Sequence, residues 1–290
     1  YSNINFDDEM LRKEFFKGLR QPYLTNTNGN KRQDGLNIVR AAFAINNKVM
    51  KTETNEKGNA VMKLESLARM NGIESAGAHN ALFDANLTKL VLEKIYKEQN
   101  ITWRSAMMTG NREEVENFSK NELMFSLNEY FYGKSKLYLV TPLYHEHMLH
   151  PIYKWVQAFD LRFDPKIYLD LPLDELKTEI KKTPKFIRTI RSNKAPVLLH
   201  SDYASKAEPY SVMTKEQLLE RANLIKSNKD FCARVSLALA EIAQEKRDTG
   251  DQSDITPEES IYVKFVDNKE TPKMENWHQA SWEDKFKLLD

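Results

Sequence analysis

The sequence is short of cysteine and glycine, with one and nine respectively in 290 residues, and it has no excess of charge of either sign. A lone thiol, Cys232, cannot form an internal disulfide, so nothing argues for an oxidising compartment. No apolar run approaches the roughly 18 residues that a bilayer-crossing helix needs, and no charged-then-apolar leader opens the chain. A cytoplasmic protein without a membrane partner is expected. Forty-three Lys and Arg against 42 Asp and Glu leave a net charge of +1, which is not the footprint of a protein that coats nucleic acid with its whole surface. Local distribution of charge therefore matters more than its sum. What is present is ordinary for a folded chain: 41% hydrophobic and 29% charged residues rule out pervasive disorder, and the length suits two domains. Both ends read as cut. Tyr1 runs almost at once into a helical pattern, and Asp290 closes an amphipathic run, Trp282–Leu289, that looks unfinished.

Residues 8–20 carry Leu11, Phe15, Phe16 and Leu19 at helical spacing, with Asp8 and Glu9 in the favourable first turn. A polar, Asn-rich loop covers 24–34, and Leu36, Val39, Ala42 and Phe43 predict a second helix. Leu64, Leu67 and Ala68 give a short helix that Asn71-Gly72 should stop, and 80–97 is the longest clean helical pattern in this half. Composition then shifts. Residues 128–170 hold aromatic, β-branched runs punctuated by Gly133, Pro142 and Pro151, as in a small antiparallel sheet or barrel, and 185–199 adds strand. Thr214-x-x-Gln217 is a capping box opening a helical pair over 215–228 and 230–246, and Thr256-Pro257-Glu258-Glu259 is a second capping signature. There is no internal repeat. The expected fold class is thus α/β followed by α+β, divided as 1–99, 100–267 and 268–290.

Two separated acidic segments carry the strongest chemical signal: Asn3-Ile4-Asn5-Phe6-Asp7-Asp8-Glu9, and Ala78-His79-Asn80-Ala81-Leu82-Phe83-Asp84. Phosphodiester hydrolysis needs a deprotonated water and a steadied leaving oxygen, which two divalent ions about 3.5–4 Å apart supply when carboxylates from separate elements hold them. His79 precedes a helix and Asp84 follows it by about one and a half turns, so both can face one cleft at the helix N-terminal end. Taken singly, Phe-Asp-Asp-Glu is most often a helix cap and His-x4-Asp is most often nothing.

These segments do not stand alone. Together with Gln21-Pro22-Tyr23, the run Asp34–Ala41, the run Lys63–Glu74, Val140-Thr141-Pro142-Leu143 and Ser192–Leu198, the chain resembles the DEDD exonucleases of the histidine-containing subtype, and more narrowly the bacterial exodeoxyribonuclease I family. The resemblance runs through nearly the whole chain and is most specific over 60–90. It implies the C-terminal part of a ribonuclease-H-like nuclease domain, then an SH3-like barrel domain with helices, then the start of a C-terminal helical region. It implies 3′→5′ hydrolysis of single-stranded DNA to 5′-mononucleotides with two Mg²⁺ ions, in DNA repair and recombination. Carried over, Asp7 and Asp84 are metal-ligating carboxylates and His79 is the general base, with an ordinary pKa near 6.5 that suits the task. Arg12, Tyr23 and Arg40 fall at strand-contact positions. Lys63 stands where an arginine is expected, keeping the charge but losing the bidentate fork. The family's opening Asp-x-Glu, some way before Asp7, has no counterpart here. Asp7-Asp8-Glu9 is not that motif, because it opens a helix rather than closing a buried strand. Two ligands are thus wanting, and the chain alone should bind metal poorly and be inactive.

From Lys177 to Lys194 seven cations face one acid, Glu179. Lys185, Arg188 and Arg191 alternate with apolar Ile187 and Ile190, which suits a groove that follows phosphates. Lys185, Arg188 and Lys194 are the predicted contacts there. Tyr130, Tyr132, Tyr138 and Trp155 could stack on bases, although most are expected in the barrel core. His145-x-His147-x-x-His150 is expected to be a surface loop rather than a metal cluster. The resemblance also implies the C-terminal tail of single-stranded DNA-binding protein as a partner of a monomeric protein. The rival readings are a non-catalytic single-strand-binding module and, on fold alone, a protein-interaction adaptor.

Overall fold

Polar caps open three of the helices in the N-terminal half. A computed structural model of the chain describes residues 1–74, 80–248, 256, 260–261, 266–267 and 269–288. Asp34 accepts from the Leu36 and Asn37 amides at 3.0 and 3.2 Å and opens α2 (Gly35–Ile45); α1 is Asp7–Lys17. The Lys63-led helix α3 (Leu64–Met70) ends where Asn71 and Gly72 follow, Gly72 with φ +72°, the left-handed conformation that closes a helix without a Cβ penalty. Asn80 caps α4 (Ala81–Glu98) through the Leu82 and Phe83 amides. These elements match the sequence expectation. Two more helices, α5 (Asn100–Met107) and α6 (Arg112–Asn121), fill a stretch where no element was expected. Asn111 caps α6, but α6 buries only Val115 and Ser119, too few apolar positions for a periodic signal.

The sheet follows in order β4-β3-β2-β1-β5, all neighbours antiparallel. Its strands are β1 (Phe125–Phe131), β2 (Lys134–Pro142), β3 (Val156–Asp160), β4 (Ile187–Ile190) and β5 (Leu198–His200). Tyr132 and Gly133 form the β1–β2 turn with φ +49° and +80°, the twist a two-residue hairpin requires. The expected strand over 185–199 is split into β4 and β5 by a short turn, Ser192–Lys194, with Ala195 at φ +43°. The basic run over 177–194 is split as well: Lys177 and Lys181 lie on α7 (Leu173–Lys181), whose Leu176 and Ile180 are buried one turn apart. After α8 (Asp202–Ser205), the predicted capping box at Thr214 and Gln217 opens α9 (Lys215–Ser227), paired with α10 (Lys229–Asp248). The capping signature at 256–259 lies almost wholly outside the described residues.

Two compact units result. One comprises Tyr1 and Gln33–Thr249, the other Ser2–Arg32 and Gly250–Asp290. In the larger unit, one core packs Phe159, Phe186, Tyr210 and Phe231 between the sheet and α9–α10, and a second packs Val39, Leu67, Val91 and Ile95 among α2–α5. At about 25 cal/mol per Å² of apolar surface, such side chains each stabilise by about 1.5–3 kcal/mol. In the smaller unit, α1 and its loop share the set with α11 (Glu270–Gln279) and α12 (Trp282–Lys285), and His278 Nε2 lies 2.9 Å from the Gly18 carbonyl just past α1. Among the described residues no helix is long and apolar enough to cross a membrane.

Candidate nucleic-acid interface and catalytic residues

Asp7 is the first residue of α1 and is exposed, whereas its neighbour Asp8 is buried and ion-paired with Arg32 and, at 3.8 Å, with Arg12. Burial lowers the Arg32 pKa, and Asp8 opposes that shift. Asp7 takes no part in this pairing. Asp84 lies half-buried in the first turn of α4, where Thr88 Oγ1 donates to its backbone carbonyl at 2.8 Å. Asp7 belongs to the smaller unit and Asp84 to the larger. His79 lies outside the described residues. Among the described residues no group of three or more His, Cys, Asp or Glu could hold a metal ion. Asp7 and Asp84 are hard oxygen donors of the type Mg²⁺ prefers, so the donors present fit the ion in kind but not in number.

Of the three histidines in the 145–150 run, His145 and His147 lie on a short turn, His145–His147. His150 is buried and its Nδ1 accepts from the Ile152 and Tyr153 amides at 3.1 and 3.2 Å. Burial, then Lys154 and Arg247, lower its pKa, so the ring is a neutral turn-forming acceptor.

Of the predicted strand contacts, Arg12 and Tyr23 lie in the smaller unit, Arg12 beside Asp8 and Tyr23 at the start of a short turn, Leu24–Asn26. Lys63 is exposed at the mouth of α3. Arg40 and Lys194 are brought together. Asn37 on α2 donates to the Lys194 and Ala195 carbonyls at 3.0 and 3.3 Å, and Thr109 Oγ1 donates to the Pro196 carbonyl at 2.6 Å. These bonds pin the turn after β4 against the helix that carries Arg40. The Arg40 guanidinium lies 4.0 Å from the Tyr130 ring centroid, and its buried Nε has no hydrogen-bond partner among the described residues. Burial lowers its pKa. Arg40, Tyr130 and Lys194 line a cleft of about 220 Å³.

Beside it lies a wider cleft of about 810 Å³ that includes Lys185, Arg188, Tyr153 and Trp155, and Glu129, Thr189 and Arg191 line both. Lys185 Nζ donates to the Ile180 and Lys181 carbonyls at 2.8 and 3.0 Å, closing the end of α7. Arg188 is buried at 7% exposure, donates to Asp160 at 2.9 Å and Glu129 at 2.5 Å, and lies 3.2 Å from the Tyr138 ring centroid. Asp160, fully buried, also accepts from Tyr210 at 2.7 Å. Sequence periodicity places Arg188 on the strand; only the fold supplies the two carboxylates that hold it. The four aromatics are not in the core. Tyr132 is 85% and Tyr130 38% exposed at the hairpin tip, and Tyr138 and Trp155 are half-buried beneath Arg188 and Arg191. Arg191, part of the basic run but not among the predicted contacts, is exposed between the two clefts.

The whole chain superposes on solved exonuclease I structures. Against the enzyme of Methylocaldum szegediense the TM-score is 0.77 at 21% identity, covering 100% of this chain and 62% of that one. Against Escherichia coli exonuclease I in complex with a dA16 oligonucleotide it is 0.77 at 21%, covering 100% and 63%. A complex described as ExoI/SSB-Ct gives 0.75 at 20%, covering 100% and 62%. The mixed α/β fold with its five-stranded antiparallel sheet is therefore that of exonuclease I. No family model matches. The sequence relatives carry one name: exodeoxyribonuclease I of Buchnera aphidicola from Acyrthosiphon pisum is 38% identical over 100 residues, 34% of this chain and 24% of that protein. The Escherichia coli protein is 34% identical over 98 residues, 33% of this chain and 20% of that protein. That of Buchnera aphidicola from Baizongia pistaciae is 24% identical over 281 residues, 92% of this chain and 57% of that protein. The chain is similar to exodeoxyribonuclease I in sequence, and the matches span about a fifth to a quarter of the first two of these relatives and just over half of the last.

Proposed function

We propose that these residues are the greater part of a 3′→5′ exonuclease that degrades single-stranded DNA to 5′-mononucleotides in DNA repair and recombination. The observation that carries the reading is the cleft in which Arg40 and Lys194, far apart in sequence, stand beside an exposed tyrosine, in a chain similar to exodeoxyribonuclease I. In this reading 1–99 is the remainder of a ribonuclease-H-like domain, 100–267 an SH3-like domain with helices, and 268–290 the start of a helical region. Arg12, Tyr23, Arg40, Lys63 and Lys194 touch the strand; Lys185, bonded to neutral backbone carbonyls, lends positive potential to the cleft wall, and Arg188, held by Asp160 and Glu129, frames it. The protein acts as a cytoplasmic monomer and takes the C-terminal tail of single-stranded DNA-binding protein as a partner.

Chemistry follows from the carboxylates and the imidazole. When bound, two Mg²⁺ ions would acidify water and neutralise charge on the phosphate. Asp7 and Asp84 would ligate them, together with an Asp-x-Glu pair that has no counterpart among these 290 residues. His79 takes the proton as the water oxygen attacks phosphorus and the 3′-oxygen of the penultimate nucleotide leaves. By itself the chain is accordingly inactive.

The test is digestion of a 5′-labelled single-stranded oligonucleotide with Mg²⁺, run with this chain and with one carrying an upstream strand that ends in Asp-x-Glu. A one-nucleotide ladder shortening from the 3′ end is expected only from the extended chain. In that chain His79→Ala should lower the rate by about 10²–10⁴ with oligonucleotide affinity kept. Binding without digestion in the extended chain would leave the rival, a non-catalytic single-strand-binding module, and undiminished turnover of His79→Ala would remove the general base assignment.

A further inference from the structure

The wider cleft holds a ladder of rings and guanidinium groups. Tyr153 lies nearly parallel to Trp155, centroids 4.8 Å apart and planes at 21°, and the Arg191 guanidinium lies 5.2 Å from the Trp155 centroid. Arg247 stands 5.7 Å from the Tyr153 ring, and the His150 ring is 4.8 Å from it. The base of the ladder is rigid, because His150 is buried and bonded to two amides of the turn that carries Tyr153.

Stacked rings beside a loop are ordinarily just packing. Two features set Arg191 apart. Lys177, Lys181, Lys182 and Arg188 in the same basic run are all paired with carboxylates, whereas among the described residues none pairs with the exposed Arg191. Of the three residues that line both clefts, Glu129, Thr189 and Arg191, Arg191 is the cation. A guanidinium laid on an indole keeps its charge, its second face and its edge N–H groups, which a carboxylate-paired one does not.

We propose that Arg191, held against Trp155 and Tyr153, is a nucleobase-stacking platform for a single strand of nucleic acid running between the two clefts. A base lies on the outer guanidinium face while an edge N–H reaches the adjacent phosphate. Every base has a π-face, so the platform accepts all four. The inference rests on the strand-binding reading and adds to it a contact with bases, not only with phosphates.

The measurement compares affinities of the full chain, in EDTA, for a 13-nucleotide dT strand and for a strand of the same length with abasic residues throughout. Arg191→Lys keeps the charge and removes the plane. Its affinity for the dT strand should fall about fivefold or more relative to its affinity for the abasic strand. Trp155→Leu should show the same ratio and Trp155→Phe should restore it; should Trp155→Leu not fold, Arg191→Lys still decides. An equal loss on both strands, or none on either, overturns the platform while leaving the strand-binding reading intact. Failure of the unsubstituted chain to bind either strand overturns both.

Discussion

On α7, Lys177 stands 2.7 Å from Glu241 and 2.9 Å from Glu245, and Lys181 stands 2.8 Å from Glu245. At the far end of the same basic run, Arg191 lies on Trp155, and across the narrow cleft Arg40 lies on Tyr130. Both regions are equally basic when residues are counted. They differ in what the cations face. Carboxylates cancel the first set; aromatic rings orient the second and leave its charge available to an anion. A strand of phosphates should therefore be sensitive to the aromatic-backed cations and indifferent to the α7 lysines.

Arg188 is the sharpest test of that contrast because it lies between the two regions yet is buried. Replacing it with Ala leaves Asp160 without its 2.9 Å partner in a fully buried position, although Arg162 at 3.1 Å and Tyr210 at 2.7 Å remain. Breaking such a pair costs on the order of 3 kcal/mol. Urea unfolding of Arg188→Ala should show that loss, whereas Arg191→Ala, at an exposed site, should stay within about 0.5 kcal/mol of the parent. Unchanged stability of Arg188→Ala with a large loss of oligonucleotide binding would move Arg188 into the available class and break the comparison.

The difference between Arg188 and Arg191 also marks where the sequence stops being readable. Caps and periodicity locate α2, α3, α4 and the Thr214 capping box because those signals are local: a side chain bonding an amide two or three residues away. The sheet is visible from its aromatic, β-branched runs. What escapes is anything that depends on a distant partner. Nothing near Arg188 in sequence foretells Asp160 and Glu129, and nothing near Arg191 foretells that Trp155 will lie beneath it. Likewise α5 and α6 are invisible because few of their residues are both apolar and buried, and α7, which buries only Leu176 and Ile180, is masked by the charges around them. Asp7 and Asp84 are legible as candidates only through family resemblance, since exposed and half-buried aspartates at helix starts are commonplace.

Glu129 gives a smaller effect with a defined sign. It lines both clefts, and burial raises its carboxyl pKa, with Arg188 opposing and Asp160 reinforcing the shift, and with Arg162 also nearby. A carboxyl with a raised folded-state pKa binds its proton more tightly when folded. Its stabilising contribution is thus complete below the ordinary Glu value near 4.3 and is lost as pH rises through the folded-state value. Over that same window the proton removes a negative charge from the wall of both clefts. Oligonucleotide affinity measured at constant ionic strength should therefore rise severalfold on acidification through that window, more than in Glu129→Gln, which removes the titration. Identical pH profiles for the two proteins would mean that Glu129 is neutralised by Arg188 at every pH, and that the clefts do not sense it.

The smallest effect is expected at Glu245, which holds both Lys177 and Lys181. Its pKa is lowered to about 2 by bonds from Lys181 and Lys177, but the group is exposed, where competing water and salt cancel most of the gain. Glu245→Gln should leave the unfolding midpoint where it is and release Lys181 beside the wider cleft, Lys177 staying with Glu241. If charge alone drew a strand in, that release would strengthen oligonucleotide binding and steepen its salt dependence. If orientation on a ring is what makes a cation useful here, the released Lys181 gains nothing that a flexible, hydrated ammonium did not already have, and both affinity and salt slope should match the parent. A tighter, more salt-sensitive Glu245→Gln would show that the α7 flank is a masked part of the same interface.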